Sequence, residues 1–388
     1  MQFDLSDQQK ALVRAVREVA QGTIKGRGER YLDGSFPWDN MRELAAIGVL
    51  GMAVPREYGG RACGVFETAL VLEEIAKSCY VTAMAVLGEV GTQTRILATY
   101  APEHLKRRLL PAVCTGECIL SICLTEPDAG TDVERYSTNA DVRGDRCVLN
   151  GSKSLISRAE EASAFIVMTR VNGQPGKEGI GCVVVEKGAP GLRLGRRSHT
   201  MGGEYLHEVG FEDCEVPAEN MIVSDDGFRR LLTAFNTQRC LNPAISLGLA
   251  EGAFDEAVRY ARDRQAFKRP IGSFQGMRWK LADMFMEIEA ARGLLYRACA
   301  TADPFPDPFL AATAKVVCNE MSLRVTSEAL QIHGGYGFTN EFLVSRHYRG
   351  ARYGSLGGGT SETLRDLIGK RIANEFDSEE GIFGISLD

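Results

Sequence analysis

The chain has 388 residues, 44% hydrophobic and 25% charged, with a net charge of −6. That length exceeds one ordinary core, so two or three domains are expected, and the composition is that of a soluble globular protein. The acidic balance argues against nucleic acid as a partner, and no apolar run reaches the ~18 residues that a membrane span needs.

The chain opens on MQFDLSDQQK, which is polar and has no secretory pattern. Its eleven cysteines show no CxxC spacing and read as reduced thiols of a cytoplasmic protein. His104, His199, His207, His333 and His347 have neither HxxxH nor HExxH spacing, so no metal site is expected. Residues 1–119 read as a helical domain. Ser6 and Gln9 form a capping box ahead of Leu12, Val13, Val16 and Val19 on one face. Further helices are expected near Trp38–Leu50, from about Phe66 to Ser78, and from Pro102-Glu103 to a stop at Pro111.

Residues 120–225 change character. CILSICLT, RCVLNG, AFIVMTRV, IGCVVVEK and EVGFEDCEV read as strands. Arg143-Gly144-Asp145 and Asn150-Gly151 read as turns, and Val171–Lys177 as a hairpin tip. Cys123, Cys147 and Cys182 fall in apolar runs as packing residues. Lys106-Arg107-Arg108 and Arg196-Arg197 read as solvated faces. A small β-barrel or sandwich is expected. Residues 226–388 return to helices, over about 227–263, 273–301, 307–333 and 359–375, with Asp303–Pro308 as a breaker. These lengths suit a four-helix arrangement, so the fold class is α+β in the order α, β, α.

Five motifs then stand in one order: LTEPDAGTD (124–132), NGSKSLIS (150–157), FEDCEVPAEN (211–220), RDRQAFKRPIGSFQGMRWKLADM (262–284) and QIHGGYGF (331–338). Together they resemble the acyl-CoA dehydrogenase family along essentially the whole chain. The resemblance implies FAD as cofactor. It implies Leu124, Thr125, Gly130 and Thr131 at the flavin ring and pyrophosphate, with Ser157 at the N5 edge. Leu155 stands where the family usually has Trp, which opens the site beside the dimethylbenzene ring. Arg264, Phe267, Phe274 and Gln275 match positions that clamp the pyrophosphate and adenine of a neighbouring subunit, where a guanidinium forms bidentate contacts. Gln331, Ile332, Gly334 and Gly335 match the adenosine turn, and Thr360 and Glu362 complete the flavin set. A homo-oligomer, dimer or tetramer, is implied, with an electron-transfer flavoprotein as redox partner.

Family chemistry removes a proton from Cα and a hydride from Cβ of an acyl thioester, the proton going to a carboxylate. The family's motif is like YEGTSE. Here the aligned stretch is Gly357-Gly358-Gly359-Thr360-Ser361-Glu362, so the base position is Gly358. The alternative position, just before an arginine on an earlier helix, is Gln238. Neither side chain can accept a proton at neutral pH. The Gly358 N–H remains as the implied oxyanion donor. Glu89 aligns near the acyl end, and Tyr353 precedes the glycines. Thr131, Arg239 and Gly358 are the implied thioester contacts. The Met201–Glu208 loop is about two residues shorter than its family counterpart, so a carrier-protein thioester stands beside CoA as substrate. The expectation is FAD-dependent oxidation at Cα–Cβ with a non-standard base. The alternatives are β-elimination such as desulfination, enoyl-thioester reduction, flavin monooxygenation, and a catalytically silent flavin-binding relative.

Overall fold

A computed structural model describes residues 4–375. The N-terminal part holds α1 (Asp7–Val19), α2 (Trp38–Ala46), α3 (Val65–Ala76), α4 (Tyr80–Val90), α5 (Thr92–Tyr100) and α6 (Glu103–Thr115). The expected capping box forms: Ser6 Oγ accepts from Gln9 N at 3.3 Å, and Gln9 Oε1 accepts from Ser6 N at 3.0 Å. The expected stop at Pro111 does not occur. α6 runs on to Thr115, because Leu109, Leu110 and Val113 are buried on either side of the proline and hold the last turn.

Eight strands follow: β1 (Leu120–Cys123), β2 (Asn139–Arg143), β3 (Arg146–Ser157), β4 (Ala164–Val171), β5 (Ile180–Glu186), β6 (Leu192–His199), β7 (Tyr205–Pro217) and β8 (Met221–Val223). They form one mixed sheet in the order β6-β7-β3-β2-β4-β5-β8, with β1 parallel to β4. Period-two alternation on β4 and β5 feeds two cores. Ile166, Met168, Cys182 and Val184 join Ile96, Leu109 and Leu120 under α5 and α6. Phe165, Val167, Val183 and Val185 join Cys147, Leu149 and Phe211 on the other face. Burying each such large side chain contributes about 1.5–3 kcal/mol. β6 is an exposed edge strand carrying Arg193, Arg196 and Arg197, charges that discourage pairing with another chain.

Asn150-Gly151 is not a turn. It lies inside β3 at a register shift opposite β7. Gly151 has φ 138°, and a Cβ there would meet Thr138 Cα at 2.6 Å, so the backbones touch too closely for a side chain.

The C-terminal part holds α7 (Gly227–Phe235), α8 (Gln238–Asp263), α9 (Gln275–Ala300), α10 (Pro308–His333), α11 (Leu343–Gly354) and α12 (Ser361–Glu375). The single helix expected over 227–263 breaks at Asn236-Thr237. Asn236 N turns back to Leu232 O, while Thr237 O restarts the ladder by accepting from Cys240 N and Leu241 N. α11 was not among the four expected segments. α1, α3 and α4 share one core with α8 to α11, through residues such as Val16, Leu72, Leu87, Leu249, Met284 and Val325. No helix of the described residues is long and apolar enough to cross a membrane.

Candidate active site

A cavity of about 670 Å³ opens where α4, the end of β3, the start of α8 and the glycine loop after α11 converge. Leu124, Thr125, Gly130, Thr131, Leu155, Ser157, Gln238, Arg239, Gly358 and Thr360 all line it. Two backbone irregularities aim them. β3 shifts register between Lys153 and Ile156, and Leu155 takes φ 58°; Ile156 is thereby buried while Leu155 is 60% exposed toward the cavity. Ser154 N donates to Thr125 O at 2.8 Å, and Ser121 Oγ donates to Ser157 O at 2.8 Å, which ties both loops to the sheet.

A buried ion pair fixes the first loop. Lys153 Nζ donates to Glu126 Oε1 at 2.8 Å and to Leu124 O at 2.9 Å, with Lys153 and Glu126 side chains 0% and 2% exposed. Glu126 also accepts from Ser137 N, Ser137 Oγ and Thr138 N. Burial opposes its ionisation, but the Lys153 charge and these donors outweigh that and hold the carboxyl at about 2. Neither residue was singled out from sequence, although alternation from Cys147 and Leu149 already carries position 153 inward.

The base position is empty in space as well as in sequence. Gly358 has φ 73°, and a Cβ built there would lie 3.4 Å from both Gln238 Cγ and Lys315 Cε. Lys315, also missed, is buried under the loop and donates to Gly354 O at 2.8 Å and Gly359 O at 2.9 Å. Burial, then the Arg239 charge, lowers its ammonium to about 7. Arg239 Nη1 donates to Asn236 Oδ1 at 2.9 Å, so the helix break after α7 sets its direction. It has no carboxylate partner among the described residues.

Glu89 does not line the cavity. It is wholly buried, with both oxygens 3.3 Å from Leu120 N and one 4.0 Å from Arg158 Nη1, and burial pushes its carboxyl up to about 8. Tyr353 does line it, with its hydroxyl beside Gly357. Glu362 is exposed in the first turn of α12 and does not line the cavity; Thr360 Oγ1 caps that helix through Thr363 N at 3.3 Å. Arg158 and Glu204 also face the cavity and were not anticipated.

A second depression of about 470 Å³ lies on the outer face of the C-terminal helices, lined by Arg264, Ile332, Gly334 and Gly335 with Tyr336. Gln331 is exposed beside it, and Phe274 and Gln275 lie at the start of α9. Arg262 pairs with Asp263, whereas Arg264 has no carboxylate partner among the described residues. Phe267 sits at a tight two-residue turn with φ 51° and is 89% exposed. A left-handed, solvent-facing phenylalanine is costly unless something covers it.

These features fit a flavin dinucleotide. Among the described residues the hydroxyls of Thr125, Thr131 and Ser157 have no protein partner, and nothing fills the space a Cβ would take at Gly130, Gly334 or Gly335. Among the described residues no group of His, Cys, Asp and Glu could hold a metal ion.

Comparison with known proteins agrees with this geometry. Models of the acyl-CoA dehydrogenase N-terminal, middle and C-terminal domains match residues 6–117, 121–214 and 225–373. A 3-sulfinopropanoyl-CoA desulfinase of Cupriavidus necator is 35% identical over 384 residues, covering 95% of this chain and 96% of that protein. A short-chain-specific acyl-CoA dehydrogenase of Clostridium acetobutylicum is 33% identical, covering 96% and 100%. The structure of butyryl-CoA dehydrogenase from Megasphaera elsdenii superposes with a TM-score of 0.90 at 32% identity, covering 96% and 100%. With all three domain models matched in order and relatives aligned end to end, the chain belongs to the acyl-CoA dehydrogenase family.

Proposed function

We propose that this chain is a FAD-dependent oxidoreductase acting at the Cα–Cβ bond of an acyl thioester, without a carboxylate at either position where relatives carry the base. The observation that carries this reading is the pairing of Gly358 with Gln238 at one cavity wall, Gln238 Cγ lying 3.4 Å from where a Cβ of residue 358 would stand. FAD, when bound, supplies a two-electron acceptor or donor for hydride. The protein supplies the rest. The Gly358 N–H polarises the thioester carbonyl, a type of contact worth about 2.7–4 kcal/mol in an oxyanion site. The Arg239 guanidinium, with no carboxylate partner among the described residues, seats the carrier arm, whether of CoA or of a carrier protein. The thioester panel that tests this is run anaerobically, with flavin absorbance and product mass spectrometry as readouts. Bleaching or turnover with any thioester is expected; full FAD with neither would favour a silent relative, and FAD-dependent oxygen consumption a monooxygenase.

A second reading is loss of a β-substituent that departs without its bonding electrons, as sulfur dioxide would from a β-sulfinate. The C–S bond breaks, its electron pair takes a proton from water to become a C–H bond at Cβ, the sulfur dioxide is hydrated to sulfite, and no Cα proton has to be removed. The similarity to a desulfinase favours it. The same panel, extended to a β-sulfinyl thioester, separates the two, since this loss releases the substituent as sulfite without net flavin reduction.

The second depression supports a homo-oligomer in which Arg264 contacts the flavin of a neighbouring subunit. Arg264→Ala is expected to lower the FAD-to-protein ratio by at least roughly half, as a lost charge-assisted pair would, and to weaken the oligomer on size-exclusion chromatography. Unchanged flavin content would sink that role. A cytoplasmic location and an electron-transfer flavoprotein as redox partner complete the proposal.

A further inference from the structure

The inner wall of the cavity carries a cation, Arg158, whose one carboxylate neighbour within 4.0 Å among the described residues is Glu89. Arg158 directly follows β3 with φ 60°, and its side chain lies back across α4. Its guanidinium lies over Gly88: a Cβ there would stand 1.3 Å from Nη1, so only glycine admits it. Nη1 donates to Ala85 O at 3.0 Å and to Met84 O at 3.4 Å, which holds the group still. Among the described residues Nη2 has no partner, and Nε is buried without one. The side chain is 11% exposed and faces the cavity.

The neighbouring acids do not neutralise it. Glu89, at 4.0 Å, is engaged with Leu120 N and is held largely protonated at neutral pH by burial. Glu204 accepts the Tyr80 hydroxyl at 2.8 Å, and burial raises its carboxyl too; Glu161 is raised for the same reason. Glu160 is paired with His207 and Arg197 at the rim. The Tyr353 hydroxyl, with no partner among the described residues, adds a donor; burial, helped by Glu204 and opposed by Arg158, keeps it protonated to about 12. A desolvated guanidinium without a counter-charge is expensive in an empty cavity and becomes favourable when an anion enters.

We propose that Arg158, assisted by the Tyr353 hydroxyl, binds an anionic oxygen group carried by the acyl part of the thioester, a carboxylate or a sulfur oxyanion, and so sets the substrate class to acidic acyl groups. The inference rests on the acyl-thioester reading above. A guanidinium matches the geometry of such groups, and the missing side chains at Gly88 and Gly357 let the Arg158 guanidinium and the Tyr353 ring take up their places on the cavity wall.

The test uses flavin-loaded protein titrated with matched thioesters, succinyl-CoA and glutaryl-CoA against butyryl-CoA and valeryl-CoA, following the flavin spectrum. The wild type is expected to bind the acidic member of each pair at least roughly 10-fold more tightly. Arg158→Gln is expected to lower that ratio by roughly 10- to 100-fold, and Arg158→Lys to restore part of it. Equal wild-type affinity for acidic and neutral thioesters overturns the proposal without any variant. So does an Arg158→Gln protein that weakens both classes alike. Failure of every thioester to perturb the bound flavin overturns the acyl-thioester reading together with this one.

Discussion

Lys153→Met is expected to strip the flavin and to destabilise the protein by about 3–5 kcal/mol, the usual consequence of leaving one member of a buried ion pair alone. The methionine keeps the apolar stem and removes the Nζ that holds both Glu126 and Leu124 O. Glu126 then stays buried with three donors from Ser137 and Thr138 but no counter-charge. The loop from Leu124 to Thr131 loses one of its two ties to β3, keeping only the bond from Ser154 N to Thr125 O, and its hydroxyls lose part of their aim into the cavity. The nearby Tyr136 ring, 4.1 Å from Nζ, gives up a cation–π contact as well. Urea unfolding and the FAD-to-protein ratio measure the two effects; a variant with wild-type flavin content would show that the loop stands without the pair. Acid should produce a milder form of the same failure. The Glu126 carboxyl is held down at about 2, so its stabilising contribution is complete above the ordinary carboxylate range. That contribution fades as pH falls from about 4.5 toward about 2. Glu126→Gln should lack that portion of the acid limb.

The fold was legible where composition and period agree, and less so where contact across elements decides. Continuous apolar runs mark β4 and β5 as strands, but only the packing shows which core each of their two faces joins. Pro111 reads as a helix stop, yet three buried side chains override the loss of one N–H. Asn150-Gly151 reads as a turn, yet it continues β3 through a register shift against β7, with Thr138 too close for a side chain at 151. The site shows the same division. Leu124, Thr125, Thr131, Ser157 and Gly358 carry motif signatures and line one cavity. Arg158 and Glu204 carry none, because their roles arise from α4 meeting segments far away in the chain. Lys315 lies in an alanine-rich helix as an ordinary charge until the loop of Gly354 to Gly359 folds over it.

Gly358→Glu is expected to create ordinary dehydrogenation of straight-chain acyl-CoAs, with a gain of roughly 10²–10⁴-fold in anaerobic flavin bleaching. The space for it exists, since the nearest atoms to a new Cβ are flexible methylenes of Gln238 and Lys315 at 3.4 Å. The backbone resists: φ 73° is left-handed, and an L-residue there costs roughly 1–2 kcal/mol. The electrostatics favour it. Lys315 is held at about 7 by burial and Arg239, and a carboxylate beside it would return its ammonium toward the ordinary range. The same two cations would lower the new carboxyl, keeping it ionised at neutral pH while making it a weaker base. The gain should therefore fall in the lower part of that span, and bleaching should rise with pH as the glutamate ionises. The carbonyl keeps its donor, because the Gly358 N–H belongs to the backbone and survives the substitution. If the substrate of this enzyme carries an acidic acyl group, the acquired activity should be stronger on glutaryl-CoA than on valeryl-CoA. A Gly358→Glu protein that binds FAD fully yet bleaches with none of them would mean that the carbonyl does not lie against this amide. The empty base position would then be a consequence of a relocated substrate rather than of a changed reaction.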